Sequence, residues 1–206
     1  LTDLGEKVDI VIDGGPCDIG IESTVVDCTS RPAQVLRPGG VTIEALREVA
    51  PSIRLAPPTD RAGPRSSGRM KRHYAPQARL ILLAGEHQDL RAVVARVARN
   101  LSAEGRHVGV MSAREDLPWL GNLGRNVRVV ALAALDDPAA AAHDLFATLR
   151  SLDAMGVEVI LARDFGHDGL ALAIHDRLLR AAGGHLIEIA PREVDAAVEE
   201  VRSLAA

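Results

Sequence analysis

A proline-rich, basic stretch in the middle of the chain limits the possible folds more than any other feature. Residues 51–79 hold five of the eleven prolines, together with several glycines and serines. Proline lacks a backbone N–H and interrupts both helices and central strands, so regular structure is not expected there. We therefore predict a semi-extended linker at 51–79 that separates a segment at 1–50 from a domain at 80–206.

The charge of this linker is opposite to that of the rest of the chain. It carries seven basic side chains and one acidic one, whereas the whole chain has a formal net charge of -4. A basic connector between two acidic bodies indicates contact with an anion, and the alternative is a linker that is simply solvated.

Residues 80–206 alternate between strand-like and helical patterns. Such alternation is typical of right-handed βαβ units with a mostly parallel sheet and helices on its faces, so a small Rossmann-like α/β domain is predicted. The apolar strand-like runs lie at 80–84, 107–111, 126–132 and 157–162, and the helical stretches lie at 88–104, 138–155, 169–182 and 194–204.

Residues 1–50 have the pattern of part of a β-rich α/β layer. Strand-like runs occur at 8–12, 21–28 and 33–37, and helical spacing begins at Thr42. A segment of this length is too short to close a core, and its strand edges need partners. Because the chain begins with Leu rather than Met, we expect it to be a fragment.

Several classes of protein are not indicated. The chain has no run of about 18 apolar residues, and its first seven residues do not resemble a signal peptide, so a cytoplasmic location without a membrane span is expected. Cys17 and Cys28 have no metal-type or disulfide-type spacing. No metal site is predicted, and structural or surface roles are expected for six histidines, at positions 87, 107, 143, 167, 175 and 185.

Two motifs in the first segment could bind an anion. A turn at 13–16 (Asp-Gly-Gly-Pro) is followed by Glu22-Ser23-Thr24, and glycines and hydroxyl groups of this kind can hold a carboxylate or phosphate. Arg37 precedes a Pro-Gly turn, where a guanidinium can contact a phosphate through two N–H groups. The alternatives are an ordinary hairpin turn with an edge strand, and a surface arginine in a salt bridge.

Two further stretches could contribute to a site. The linker sequence at 66–76, SSGRMKRHYAP, places several cations beside Tyr74, which offers a hydroxyl and a ring face to a nucleotide. The loop at 164–169 lies between a strand end and a helix start, a common ligand position in parallel sheets, and its ligand cannot be named from the sequence.

Taken together, these motifs resemble the Sua5 family of threonylcarbamoyl-AMP synthases. The shared features are the Glu-Ser-Thr strand, the Leu-Arg-Pro-Gly turn and the basic linker ending in His-Tyr-Ala-Pro. The stretches LFATLRSLD (145–153) and AIHDRLLRAA (173–182) are similar to two signatures of the carboxyl-terminal domain of this family. The resemblance implies that residues 1–50 are the carboxyl-terminal part of a YrdC-like catalytic domain and that 80–206 are the accessory domain.

The resemblance also implies a function. Enzymes of this family join L-threonine, bicarbonate and ATP, with Mg²⁺, into threonylcarbamoyl-adenylate and pyrophosphate, and the product passes to the machinery that modifies tRNA. By motif, Ser23 would contact L-threonine, and Arg37 and Tyr74 would contact ATP, whereas no catalytic base is assigned.

The family's amino-terminal lysine and arginine motif has no counterpart in these residues, so we expect the chain alone to have little activity. A noncatalytic module that binds protein or RNA, including weak binding of tRNA or double-stranded RNA, is the alternative hypothesis.

Overall fold

The computed structural model describes residues 5–15, 17–57 and 75–206. These residues form two units, a small mixed sheet near the amino terminus and a larger parallel α/β domain. No helix in the described ranges has both the length and the apolar character needed to cross a membrane.

The small unit contains three short strands and one helix. Its strands lie in the order β1-β2-β3, with β1 and β2 antiparallel and β2 and β3 parallel. Val35, Ile43 and Ile53 form its buried core. After a 3-10 helix at Gly5–Lys7, the elements are β1 (Val25–Asp27), β2 (Gln34–Arg37), α1 (Ile43–Val49) and β3 (Arg54–Leu55).

Helix α1 begins where the sequence predicts. The Thr42 side chain accepts a hydrogen bond of 3.3 Å from the backbone N–H of Ala45, so Thr42 is the N-cap. Glu44 lies in the first turn, where a negative charge is favourable. Its pKa is lowered by a hydrogen bond from its own backbone N–H and, to a smaller extent, by one from Gly169 of the large domain.

Two predictions for the first half of the chain are wrong. Residues 8–12, predicted as a strand, have no regular secondary structure and are exposed, because no strand in the described part of the chain lies beside them. Conversely, β3 lies inside the stretch predicted to lack regular structure. It forms because Arg54 N–H and Ala56 N–H donate hydrogen bonds of 3.1 and 2.9 Å to carbonyl groups beside β2.

The large domain has the predicted α/β architecture. All strand pairs of its five-stranded sheet are parallel, in the order β6-β5-β7-β4-β8. A 3-10 helix (Arg114–Trp119) follows β5, and the four-residue strand β8 was not predicted. The elements are β4 (Arg79–Gly85), α2 (His87–Ala103), β5 (Val108–Ala113), β6 (Val127–Ala133), α3 (Pro138–Ala154), β7 (Val159–Arg163), α4 (Gly169–Ala181), β8 (Leu186–Ile189) and α5 (Val194–Ala205).

Alternating side chains of the strands pack into two cores. On β4, Leu80 and Leu82 face the core formed with α3 and α4, whereas Ile81 and Leu83 face the core formed with α2 and α5. The chain leaves β4 for α2 on one face and leaves the neighbouring β7 for α4 on the other face. The carboxyl ends of these two strands are therefore a topological switch point, where open parallel sheets commonly bind ligands.

Helix α4 joins the two units. Its residue Leu172 packs against the core of the small unit, while Ile21 of the small unit packs against the large core beneath α3 and α4. Gly20 approaches α3 so closely that a Cβ atom there would lie 2.4 Å from the Cα of His143. The two units thus share an interface in which each contributes to the other's core.

Candidate functional site

The structure brings Ser23 and Arg37 together. The Nε and Nη2 groups of Arg37 donate hydrogen bonds to the Ser23 carbonyl oxygen at 3.2 and 2.9 Å, and Nη2 lies 3.3 Å from the Ser23 hydroxyl oxygen. Arg37 is buried, with 7% of its surface exposed, whereas Ser23 is exposed. The exposed Ser23 hydroxyl therefore lies beside a fixed positive charge, an arrangement that suits an anionic ligand.

The turn after Arg37 packs directly on the segment before β1 that carries Ser23. A Cβ atom on Gly39 would lie 2.3 Å from the Glu22 carbonyl oxygen, so only glycine allows the two backbones to approach this closely. Gly40 N–H donates to the Glu22 carbonyl at 3.1 Å, and the Thr24 hydroxyl donates to the Val41 carbonyl at 2.5 Å. The Leu-Arg-Pro-Gly motif and the residues after it therefore pack against the Glu-Ser-Thr motif and hold it by hydrogen bonds.

The described glycines of the first predicted anion-binding motif make a local contact. Gly15 N–H donates to the Asp13 carboxylate at 2.9 Å, and the surrounding residues are exposed. The residues at 8–15 border an open cavity of about 690 Å³.

Tyr74, the third predicted site residue, lies outside the described residues. The structure does show how the chain leaves the linker and enters β4. The Asp153 carboxylate accepts hydrogen bonds from the backbone N–H groups of Gln77 and Ala78, at 2.9 and 3.1 Å. Asp153 is the last residue of the LFATLRSLD signature, so this signature fastens the end of the linker.

Arg177, which sequence reasoning did not select, holds the site from the large domain. Its Nε group donates to the Glu22 carboxylate at 2.5 Å, and its Nη2 group donates to the Pro38 carbonyl at 3.2 Å. The Arg177 side chain is only 4% exposed. One arginine of the AIHDRLLRAA signature therefore contacts both motifs that carry Ser23 and Arg37.

The same signature contains Asp176, whose negative charge balances the positive charges of Arg177 and Arg180. Asp176 accepts from Arg177 at 2.5 Å and from Arg180 at 2.7 and 2.9 Å. These hydrogen bonds raise the pKa of the Arg180 guanidinium. The signature was recognisable in the sequence, but the partners of Arg177 in the small unit, Glu22 and Pro38, were not, because they lie more than a hundred residues away.

The carboxyl end of β7 carries a buried ion-pair cluster. Asp116 accepts from Arg163 at 2.8 and 3.1 Å and from Arg91 at 2.6 Å, and its side chain is fully buried. His87 Nδ1 lies 2.6 Å from Arg163 Nη2. The space beside Ser112, Asp116 and Arg163 cannot hold a water molecule. The charged groups of this cluster therefore pair with one another, and within the described residues no space for a ligand opens beside them.

A second cluster of polar side chains lies at the carboxyl end of β7, in and beside the predicted ligand loop at 164–169. Asp164, His167 and His175 place potential ligand atoms within 4.8 Å of one another. The sequence selected the loop that holds Asp164 and His167 but not His175, because His175 lies in the second turn of α4 and approaches the loop only after folding.

Two family matches together cover most of the chain. Residues 41–183 match the family described as "Threonylcarbamoyl-AMP synthase, C-terminal domain", and residues 1–39 match the family described as "Telomere recombination".

Individual relatives agree with this match. The threonylcarbamoyl-AMP synthase of Pyrococcus abyssi is 35% identical over 193 residues, which cover 91% of this chain and 53% of the relative. That of Bacillus subtilis is 32% identical, with 90% of this chain and 52% of the relative covered. The crystal structure of P. abyssi Sua5 complexed with L-threonine superimposes with a TM-score of 0.75 at 34% identity, and covers 91% of this chain and 53% of that one.

The chain has the α/β fold of this group of enzymes, with its parallel five-stranded sheet. It belongs to the Sua5 family of threonylcarbamoyl-AMP synthases. The chain spans about half the length of the curated relatives it matches.

Proposed function

We propose that this chain contributes the threonine-binding and part of the ATP-binding surface of a threonylcarbamoyl-AMP synthase. The observation that carries the proposal is the contact between Arg37 and Ser23, two residues of separate family motifs that the structure joins at 2.9 Å. The Pyrococcus abyssi relative, which has been solved with L-threonine, supports threonine as the substrate class.

In the proposed reaction, the amine of L-threonine takes up the carbon of bicarbonate to give a carbamate and water. A carbamate oxygen then attacks the α-phosphorus of ATP, the bond to the β-phosphate oxygen breaks, and pyrophosphate leaves with the electron pair. Catalysis of such a step depends on alignment of the two anions and on cations that spread the developing charge.

Each site residue has a proposed role in this step. Ser23, exposed and beside a guanidinium, binds L-threonine through its hydroxyl. Arg37 contacts an ATP phosphate in this proposal, and its Nε and Nη2 groups hold the Ser23 carbonyl. Tyr74 contacts ATP from the linker, whose basic residues close over the nucleotide and exclude water.

Mg²⁺ enters this proposal as part of the MgATP substrate. Magnesium prefers carboxylate and phosphate oxygens. Near Ser23, the Glu22 carboxylate is already paired with Arg177 at 2.5 Å. Within the described residues, this edge of the site therefore does not fit a protein-held Mg²⁺, and no step is assigned to one.

The proposed setting is the cytoplasm, where the product passes to the transferase machinery that completes threonylcarbamoyladenosine in tRNA. The basic linker would add weak, salt-dependent contact with tRNA or double-stranded RNA.

Isothermal titration of the 206-residue chain with L-threonine tests the proposal. Ser23→Ala should weaken threonine binding about fivefold to tenfold, the scale of one lost hydrogen bond. Ser30→Ala, which removes a hydroxyl from the nearby loop, is the matched control and should leave the affinity unchanged. If folded wild-type chain does not bind threonine, or if both variants bind it equally, the threonine role of Ser23 is wrong.

A further inference from the structure

We propose that Asp164, His167 and His175 form a binding site for a divalent transition-metal ion of the zinc class. This inference concerns the switch point of the large domain and does not depend on the proposed synthase activity. The three residues come from the carboxyl end of β7, the following loop and the second turn of α4.

The distances between donor atoms fit one shared ion. His175 Nδ1 lies 3.1 Å from Asp164 Oδ1, and His167 Nε2 lies 3.4 Å from Asp164 Oδ2. Zinc binds nitrogen and oxygen ligands at about 2.0 to 2.1 Å in a tetrahedron, whose ligand-to-ligand edge is then about 3.3 to 3.4 Å. Each imidazole nitrogen therefore stands close to this distance from one oxygen of the Asp164 carboxylate, His175 from Oδ1 and His167 from Oδ2, and the three candidate ligand atoms all lie within 4.8 Å of one another.

One ligand has to move to complete the site, and that ligand is His167, the most exposed of the three. The His167 side chain is 60% exposed, whereas those of His175 and Asp164 are 13% and 5% exposed. The two imidazole rings are 4.3 Å apart between centroids and are tilted by 60°. In this proposal, rotation of the exposed His167 side chain brings its nitrogen toward the ion, while the buried Asp164 and the half-buried His175 stay in place.

The electrostatics of the loop also favour a cation. Burial of an ionised carboxylate is costly unless a positive charge or several hydrogen bonds compensate it. In the described part of the chain, the salt-bridge partners of Asp164 are the two histidines, and its Oδ1 atom also accepts the Phe165 N–H at 2.9 Å. The adjacent Arg163 is committed to Asp116.

The ligand set selects the class of metal. Two imidazoles and one carboxylate suit zinc and its neighbours among the transition metals, whereas Mg²⁺ requires oxygen ligands in octahedral geometry. Three protein ligands leave at least one position for water or another small ligand. Because the loop leads directly into α4, a bound ion would also stabilise the start of the helix that contacts the small unit.

Zinc titration of the chelator-treated 206-residue chain tests the proposal. Isothermal titration should give one Zn²⁺ per chain, Co²⁺ should give visible absorption bands, and Mg²⁺ should give no binding at the same concentration. Zn²⁺ should also raise the melting temperature, because it binds the folded state.

Substitution of single histidines tests where the ion binds. His167→Ala and His175→Ala should each lower the Zn²⁺ affinity at least about tenfold. His143→Ala is the matched control, since His143 pairs with Asp144 at 2.7 Å but has no third ligand in the described ranges. Circular dichroism verifies folding, and exposed His167 gives a variant whose fold should be intact. A folded wild-type chain that does not bind Zn²⁺, or unchanged affinity in His167→Ala, would overturn the proposal.

Discussion

Arg177 and Glu22 are separated by 155 positions in the sequence, yet the Arg177 Nε atom lies 2.5 Å from a Glu22 carboxylate oxygen. The ion pair connects helix α4 of the large domain to the segment just before β1 that carries Ser23. A residue of the large domain therefore holds in place the segment for which we propose threonine binding.

Replacing Arg177 should destabilise the whole chain. Arg177→Ala removes the partner of Glu22 and leaves the Pro38 carbonyl without its donor, so we expect a loss of about 2 to 4 kcal/mol in the free energy of unfolding. Urea denaturation measures this loss. Arg202→Ala is the control, because its pair with Glu104 is at the surface and should contribute less than about 1 kcal/mol. Similar losses in both variants would contradict the role of Arg177.

Arg37 should contribute to ATP binding. Arg37→Ala should weaken ATP binding by about 1.5 to 3 kcal/mol, the scale of a lost charged hydrogen bond. Titration with ATP measures this, with Arg47→Ala, an exposed arginine at the end of α1, as the control. If ATP affinity is unchanged but threonine affinity falls, then Arg37 only positions Ser23 and does not contact the nucleotide.

Asp153 should control the position of the linker. Asp153→Ala removes the acceptor for the N–H groups of Gln77 and Ala78, and we expect a loss of about 1 to 3 kcal/mol in unfolding free energy. Limited trypsin digestion should also become faster at the nearby basic residues. Asp144→Ala, on the exposed face of the same helix, provides the comparison. Equal digestion of these two variants would show that Asp153 does not anchor the linker.

ATP should protect the linker from trypsin if residues 61–76 close over the nucleotide, because a protease needs an extended and accessible backbone. Tyr74→Ala should lose much of this protection. Digestion time courses with and without ATP, threonine and Mg²⁺, for wild type and Tyr74→Ala, measure the effect. Equal rates in all four samples would mean that the linker is only a tether.

Glu158 should give the chain a specific acid sensitivity. Its pKa is lowered, first by the hydrogen bond from the His107 N–H and then by Arg106. A carboxylate with a lowered pKa stabilises the fold above its unfolded value of 4.5, and this stabilisation disappears as the pH falls through the lower folded value.

Glu158→Gln should therefore be less stable than wild type near about pH 6.5, and the difference should shrink near about pH 3.5. Thermal unfolding at both pH values checks this, with Glu188→Gln, an exposed glutamate on β8, as the control. A difference that is the same at both pH values would show that the Glu158 charge contributes nothing.

The sequence predicted the large domain better than the small one. The strand and helix patterns from residue 80 onward matched the observed elements closely, as for α3, predicted at 138–155 and found at Pro138–Ala154. Each of these elements buries its own apolar pattern against a neighbour in the same domain. Residues 8–12 have an equally apolar pattern but no strand beside them in the described part of the chain, so pattern alone gave the wrong result.

The candidate site was predictable only as a set of motifs. Ser23 and Arg37 were selected from local sequence, and their direct contact required the fold. Arg177 and Asp153 were missed as functional residues because their roles depend on partners distant in sequence. The loop with Asp164 and His167 was selected as a ligand position without a named ligand, whereas His175 was expected to have a structural or surface role. For Arg177 the available sequence signal was its place inside the AIHDRLLRAA signature, and its burial, which is rare for an arginine without a fixed partner, became evident only in the structure.

The shared helix α4 has a thermodynamic consequence for the site. Leu172 and Arg177 of this helix contribute to the packing and the hydrogen bonds of the small unit. In the proposed site, the free energy of ligand binding at Ser23 is therefore linked to the free energy with which α4 docks on the small unit. Linkage is reciprocal, so a ligand that binds better when α4 is docked must stabilise that docking by the same free energy.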